Sequence, residues 1–128
     1  KKMEKKIGKL DLKDRIYLTG SQDNVDKYYQ SASLFVLSTK SEGLGMVIVE
    51  SMGNGCPVIS TDAPYGPRDI IGNNEYGILC PVGDFKKMSV AIKEVLEDNK
   101  LRKKLIENGL KRYEDFKIET IIKEFDNL

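Results

Sequence analysis

Residues 34–61 read LFVLSTKSEGLGMVIVESMGNGCPVIST. Two short apolar runs, 34–37 and 57–60, bracket a Gly-bounded apolar stretch. The first run is apolar throughout and the second nearly so, as in strands buried on both faces. Parallel neighbours need a crossover, usually a helix. Gly45 before residues 46–53 and Asn54-Gly55 after them are plausible helix boundaries. The spacing therefore predicts strand–helix–strand, although Val47-Ile48-Val49 is β-branched and could pass for a strand.

The same alternation extends outward. Residues 15–19 (RIYLT) and 78–80 (ILC) read as further strands. Val25, Tyr28, Tyr29 and Ala32 repeat at helical spacing, with Asp23 or Asn24 as cap. Towards the end, Met88, Ala91, Ile92, Val95 and Leu96 form one helix face, with Asp84 placed to cap. Leu101, Leu105, Ile106 and Leu110 form a second face, and Ile118, Ile121, Ile122 and Phe125 a third. The order predicts a doubly wound, Rossmann-like α/β domain with a parallel sheet. Ligands bind such sheets beyond the carboxyl ends of the strands. That singles out the loops Gly20–Asn24, Ser38–Gly45, Thr61–Arg68 and Pro81–Asp84.

Composition narrows the chemistry. The 128 residues hold 21 Lys+Arg, 20 Asp+Glu, two Cys, no His and no Trp. Without His there is no Ser-His-Asp triad and no imidazole base. Two Cys do not supply an ordinary structural zinc site, and Cys56 and Cys80 read as reduced, buried thiols. No apolar run approaches the roughly 18 residues of a membrane span. Charge is uneven: residues 16–85 carry three cations and eight anions, and the ends are basic. A nucleic-acid domain would show a basic stripe with net positive charge, so no nucleic-acid partner is expected. Six cations lie between Lys100 and Arg112. They read as the wet face of a core-packed helix ahead of a lipid contact.

Within the Ser38–Gly45 loop, Gly43 and Gly45 flank Leu44, and the helix that follows offers free N–H groups and a positive dipole end. Such a site suits anionic or hydroxyl-rich ligands. Glu50 sits one turn beyond Met46 in a helix that is otherwise nearly all apolar. Its carboxylate must be solvated, paired or bound to a ligand. Glu42 lies eight positions earlier, so one carboxylate approaches from the loop and the other from the helix.

Glu42-Gly-Leu-Gly-Met-Val-Ile-Val-Glu50 resembles the Glu-x7-Glu motif of retaining GT-B-fold glycosyltransferases (glycosyl transferases group 1, bacterial surface-polysaccharide type). Residues 50–61 are similar to the family's E-A-M-A-x-G-x-P-V-V-A-S run. Gly66-Pro-Arg-Asp-Ile-Ile71 resembles its G-x-x-E-I-I loop, with Asp69 where Glu is usual. Residues 76–84 resemble N-G-x-L-V-P-x-G-D, with Tyr76 in place of Asn. The resemblance covers residues 15–128.

It implies that Glu42 is catalytic and hydrogen-bonds the transferred sugar. Gly43 and the amides of Leu44, Gly45 and Met46 would hold sugar and diphosphate, and Glu50 would accept both ribose hydroxyls. Ser21 and Gln22, in the Ser21–Asn24 turn, would line the nucleobase pocket; as residues alone they read equally well as a turn and helix cap. Lys40 and Arg68 read as solvated charges ahead of phosphate ligands. The implied substrate is a UDP- or GDP-sugar and the implied acceptor a glycan or lipid-linked glycan. The resemblance implies no cofactor, and the family usually dispenses with metal ions. The expected location is the cytoplasm, with peripheral association at the inner membrane face.

In that family the nucleotide domain begins with two strands and an Arg/Lys pair that grips the diphosphate. Residues 1–10 resemble the tail of the helix that follows them. The resemblance thus implies that 1–128 is part of a donor-binding domain, without the acceptor domain and without those strands, and that a fragment of this kind self-associates or is only marginally stable. The competing reading is a nucleotide-sugar-binding module without transfer activity. A receiver-like domain would cluster acidic residues after 15–19, and none stand there.

Overall fold

A computed structural model of the chain describes residues 1–41, 45–117, 122, 125 and 126. Among these, helices α1 (Lys2–Lys9) and α2 (Asp26–Ser31) precede strand β1 (Phe35–Leu37). Then follow α3 (Met46–Gly53), β2 (Val58–Thr61), α4 (Gly66–Ile71), β3 (Ile78–Cys80), α5 (Phe85–Glu97) and α6 (Asn99–Asp115). The sheet is parallel in the order β1-β2-β3. Val36 pairs with Ile59, and Ile59 in turn with Ile78. The expected α/β architecture is thus present, with α3 as the crossover between β1 and β2.

Strand alternation sorts the core into two layers. Val58 faces Ile48, Val49, Met52, Ile70 and Ile71, while its neighbour Ile59 faces Cys80, Ala91, Val95 and Leu105. Every residue of β2 is buried. The buried hydroxyls are satisfied locally: Ser60 donates to the Thr61 carbonyl at 2.9 Å and Ser51 to the Cys56 carbonyl at 3.1 Å. Cys56 and Cys80 are free and buried, and burial pushes both thiols up.

α6 serves both layers. Its Leu105 packs beneath β2 with α5, and Tyr113 and Phe116 pack against the opposite layer. Close approach to α3 is possible because both helices present glycine. A Cβ on Gly53 would lie 2.5 Å from the Tyr113 ring, and one on Gly109 would lie 3.3 Å from Met52 Cγ. Arg112 donates to the Ile70 carbonyl at 3.0 Å and the Asp69 carbonyl at 2.8 Å, closing the C-terminal end of α4. Its guanidinium also stacks on Tyr76 and Phe116, at 5.2 and 4.9 Å from the ring centroids. The Lys100–Arg112 helix is therefore core-packed, and its last cation belongs to the fold.

Three expectations need correction. Residues 15–19 form no strand. Arg15 and Ile16 donate to the Leu12 carbonyl in a turn, and Ile16, Tyr17 and Leu18 are 41%, 74% and 55% exposed. A strand needs a neighbour to complete its ladder, and none of the three strands pairs with this run. Second, neither Asp23 nor Asn24 caps α2: its N-cap is Val25, without a side-chain bond. Third, the loop Thr61–Arg68 is shorter than expected. Thr61 ends β2 and Gly66–Arg68 already belong to α4. The Gly-Pro pair reads as a breaker, yet Pro in a first helical turn sacrifices no intrahelical bond. Asp84 does cap α5, accepting from Lys87 N at 3.0 Å. Most of the helix expected around Ile118–Phe125 lies outside the described residues.

Candidate functional site at the carboxyl edge of the sheet

The three strands end together at Leu37, Thr61 and Cys80, and the segments beyond them share one edge. Thr61 ties two of these segments: its hydroxyl donates to the Thr39 carbonyl and accepts from Thr39 N at 3.0 Å. Beside it a cleft of about 240 Å³ is bounded by Ser38–Lys40, Thr61 and Pro81–Asp84. Three of the expected loops therefore converge.

Gly45 starts α3 with a φ of 68°, a left-handed backbone that favours glycine. A Cβ there would also meet Ile70 Cδ1 at 3.0 Å. Gly45 thus brings the start of α3 against α4. Met46 follows, 51% exposed at the helix N-terminus, where backbone N–H groups point outward. One turn later Glu50 is exposed on the same helix. The carboxylate on this apolar helix is thus accessible, not buried.

A second cleft, of about 300 Å³, lies beside α2. Thr19, Gln22, Val25, Tyr28, Tyr29 and Phe35 help to line it. Gln22 is fixed there by donating to the Thr19 carbonyl at 2.6 Å. Ser21 is exposed next to it. Tyr29 stands edge-on to Phe35, with ring centroids 5.4 Å apart. Burial first, and then the charge and hydrogen bond of Glu50, push the Tyr29 phenol above its usual value.

Of the residues singled out in the sequence, Gly45, Met46 and Glu50 share α3 and its N-cap. Gln22 lies apart from them, lining the α2 cleft with Tyr29, whose phenol feels the Glu50 charge. Glu42, Gly43 and Leu44 lie outside the described residues. Arg68 is exposed and held by Asp62 through two bonds, at 2.9 and 2.6 Å. That pairing draws the Asp62 carboxyl below the usual carboxylate range. From sequence, Tyr29 reads only as part of an apolar helix face and Asn54 only as a boundary. A tyrosine on such a face, one helix away from a solvated Glu, was the available signal. Among the described residues no group of three His, Cys, Asp or Glu side chains could hold a metal ion. Among them, too, no helix is long and apolar enough to cross a membrane.

Known proteins share this architecture. The family model for glycosyl transferases group 1 matches residues 1–112. An uncharacterized glycosyltransferase of Methanocaldococcus jannaschii is 34% identical over 97% of this chain and 37% of its own length. The poly(glycerol-phosphate) alpha-glucosyltransferase of Bacillus subtilis is 30% identical over 90% of this chain and 17% of its own. Among solved structures, a mutant of S. aureus TarM, in complex with fondaparinux, alpha-GlcNAc-glycerol and UDP, superposes with a TM-score of 0.88. It is 25% identical, over 98% of this chain and 26% of TarM's. The chain thus spans well under half the length of these relatives. The match over most of its residues, with a parallel α/β sheet of GT-B type, makes the chain a member of the glycosyl transferases group 1 family.

Proposed function

We propose that this chain is the donor-binding part of a retaining glycosyltransferase that moves a hexose-type sugar from a UDP- or GDP-sugar to a glycan or lipid-linked acceptor. The observation that carries the reading is the convergence at α3. Gly45 and the exposed start of the helix stand at one end, and Glu50 is exposed one turn later, its charge felt by Tyr29 of the α2 cleft. A diphosphate suits the amides and dipole of the helix start. Ribose hydroxyls suit an exposed, ionised carboxylate. A flat base suits the tyrosine-lined cleft. UDP bound to TarM supports the same ligand class.

In this reading Glu42 hydrogen-bonds the transferred sugar, and Gly43 and the Leu44 amide complete the diphosphate cradle. Front-face attack through an oxocarbenium-like transition state retains the anomeric configuration. It needs no imidazole base, which suits a chain without His. The departing diphosphate gains charge as the bond breaks, so prearranged amides act most strongly in the transition state. The acceptor domain, and strands that pair with the outer edge of β1, belong to other parts of the parent enzyme. The enzyme works in the cytoplasm, at the inner membrane face when its acceptor is lipid-linked. A donor-binding module without transfer activity is the second reading, favoured by Arg68 being already engaged by Asp62.

The test is made on the intact enzyme. Glu42→Ala lowers kcat by about 10²-fold, the loss typical of one transition-state hydrogen bond in a closed site. Glu50→Ala raises the donor KM on the order of tenfold with a smaller change in kcat, since charged hydrogen bonds carry about 1.5–3 kcal/mol. Unchanged turnover and unchanged donor affinity in both variants refute the assignment.

A further inference from the structure

Tyr65 stands where the backbone favours glycine. Its φ is 75° and its ψ −107°, a left-handed conformation that is strained for a residue with a Cβ. Burial does not offset the strain, because the residue is 79% exposed. Nor is the loop free to relax. Ala63 before it is fully buried, the ring of Pro64 sets its own φ, and Gly66 and Pro67 after it are buried in the first turn of α4. The chain is thus fixed on both sides of Tyr65 and presents one aromatic ring to solvent. A strained, exposed ring on a fixed loop is a place to look for a ligand.

Polar groups flank the ring. Tyr65 lines a cleft of about 360 Å³ together with Asp62, Pro64, Arg68 and Asp69. Asp62 is anchored at the sheet edge, where its N–H donates to the Cys80 carbonyl at 2.7 Å. Its carboxylate accepts from Nε and Nη2 of Arg68, so the loop and α4 together hold one planar pair. Each partner keeps unused capacity, since a guanidinium has more N–H groups, and a carboxylate more lone pairs, than this pairing consumes. Donors and acceptors side by side are the complement of neighbouring hydroxyls. Two carboxylates against one guanidinium leave the cleft net negative, which opposes a phosphate. The chemistry that remains is that of a neutral pyranose, with an apolar face for the ring and a hydroxyl edge for the pair. The cleft also borders the start of α3. A Cβ on Gly45 would lie 3.5 Å from the carbonyl carbon of Gly66, the residue directly after Tyr65.

We propose that Asp62, Tyr65 and Arg68 form a subsite for the acceptor sugar, a neutral pyranose whose apolar face stacks on Tyr65 while its hydroxyls bond to the Asp62–Arg68 pair. The inference rests on the reading of the Gly45 end of α3 as the donor cradle. A sugar held on Tyr65 stands beside that cradle, which is what transfer between two bound sugars requires. The loop is set before the sugar arrives, so little ordering is left for binding to drive. A ring that served only the fold would be buried, and a solvated ion pair needs no aromatic neighbour fixed beside it.

The intact enzyme tests this with the methyl glycosides of glucose, galactose, mannose, N-acetylglucosamine and N-acetylgalactosamine, titrated by saturation-transfer NMR with UDP and GDP present. At least one is expected to bind. For that glycoside, Tyr65→Leu and Asp62→Asn are each expected to raise Kd about three- to tenfold. Tyr65→Phe keeps the ring face and is expected to stay within about twofold. The calorimetric Kd of UDP or GDP is expected to change less than about twofold in all of these variants, because they leave the donor cradle in place. Tyr65→Gly relieves the backbone and is expected to melt no earlier than the wild type. Binding by none of the glycosides, an unchanged glycoside Kd for Tyr65→Leu, an equal rise in the nucleotide Kd, or an earlier melt for Tyr65→Gly overturns the proposal. Failure of the donor reading looks different: Glu50→Ala then leaves the nucleotide Kd unchanged, and the glycoside titration still decides the sugar site.

Discussion

The two flanks of the sheet contrast. On the side of β2, β3 and α6, every strand position of β2 is buried, helices face each other through glycines, and Arg112 seals the end of α4. On the far side of β1, the run Ile16-Tyr17-Leu18 lies exposed, and the edge of β1 opposite β2 has no strand beside it among the described residues. The same chain thus holds a finished core and an apolar flank that its own strands do not cover. Sequence hydrophobicity does not separate them, because RIYLT is as β-prone as PVIS. What separates them is the presence of a neighbour.

Substitutions measure the contrast. Ile59→Ala, in the middle of β2 and fully buried, is expected to cost about 2–5 kcal/mol in urea unfolding. A loss near zero would mean that the finished side is not the source of stability. Gly53→Ala must displace the Tyr113 ring and is expected to cost about 1–3 kcal/mol. Gly109→Ala, where Met52 needs to yield only slightly, is expected to cost less in the same unfolding experiment.

The next effect is one of pH. The Tyr29 phenol binds its proton more tightly in the folded chain than at its ordinary value of 10.0. Between the two values the native state holds more protons than the unfolded state, so stability is full below about pH 10 and falls as pH rises through the folded value. Tyr29→Phe is expected to remove that alkaline slope, as read from thermal melts between pH 9 and 12, a range set around the ordinary phenol value of about 10. The smallest expected effect is on the open flank. Leu18→Ser is expected to change stability by less than about 0.5 kcal/mol, since an exposed side chain has little burial to lose. A large loss there would show that the flank is covered in solution.

The contrast also explains what could be read from residues alone. α3 and β2 were legible because apolar runs stop at Gly45, Asn54-Gly55 and Pro57, each of which punctuates the chain for a local reason. Asp84 was legible as a cap for the same reason. The strand expected at 15–19 failed because a strand is defined by its partner. The role of Arg112 was hidden because its acceptors, Ile70 and Asp69, stand some forty positions away, while its neighbours in sequence include exposed cations. Of the site, Glu50 and Gln22 were found as single residues. Tyr29 was masked by its place in an amphipathic stripe, where a phenol looks like any other core ring. Glu42 rests on the motif, since it lies outside the described residues.

α6 crosses from the α5 layer to the α3–α4 layer, and its last turn holds both Tyr113 and Arg112. For protein engineering this sets a boundary. A shortened or permuted version that ends before Tyr113 would uncover the Gly53 seam, and one that also loses Arg112 would free the end of α4, the helix packed against Gly45. Altered ligand binding by such a version would then report on the site's scaffold and not on its chemistry. New termini introduced near residues 11–14 disturb neither core layer and leave the candidate site's helices in register.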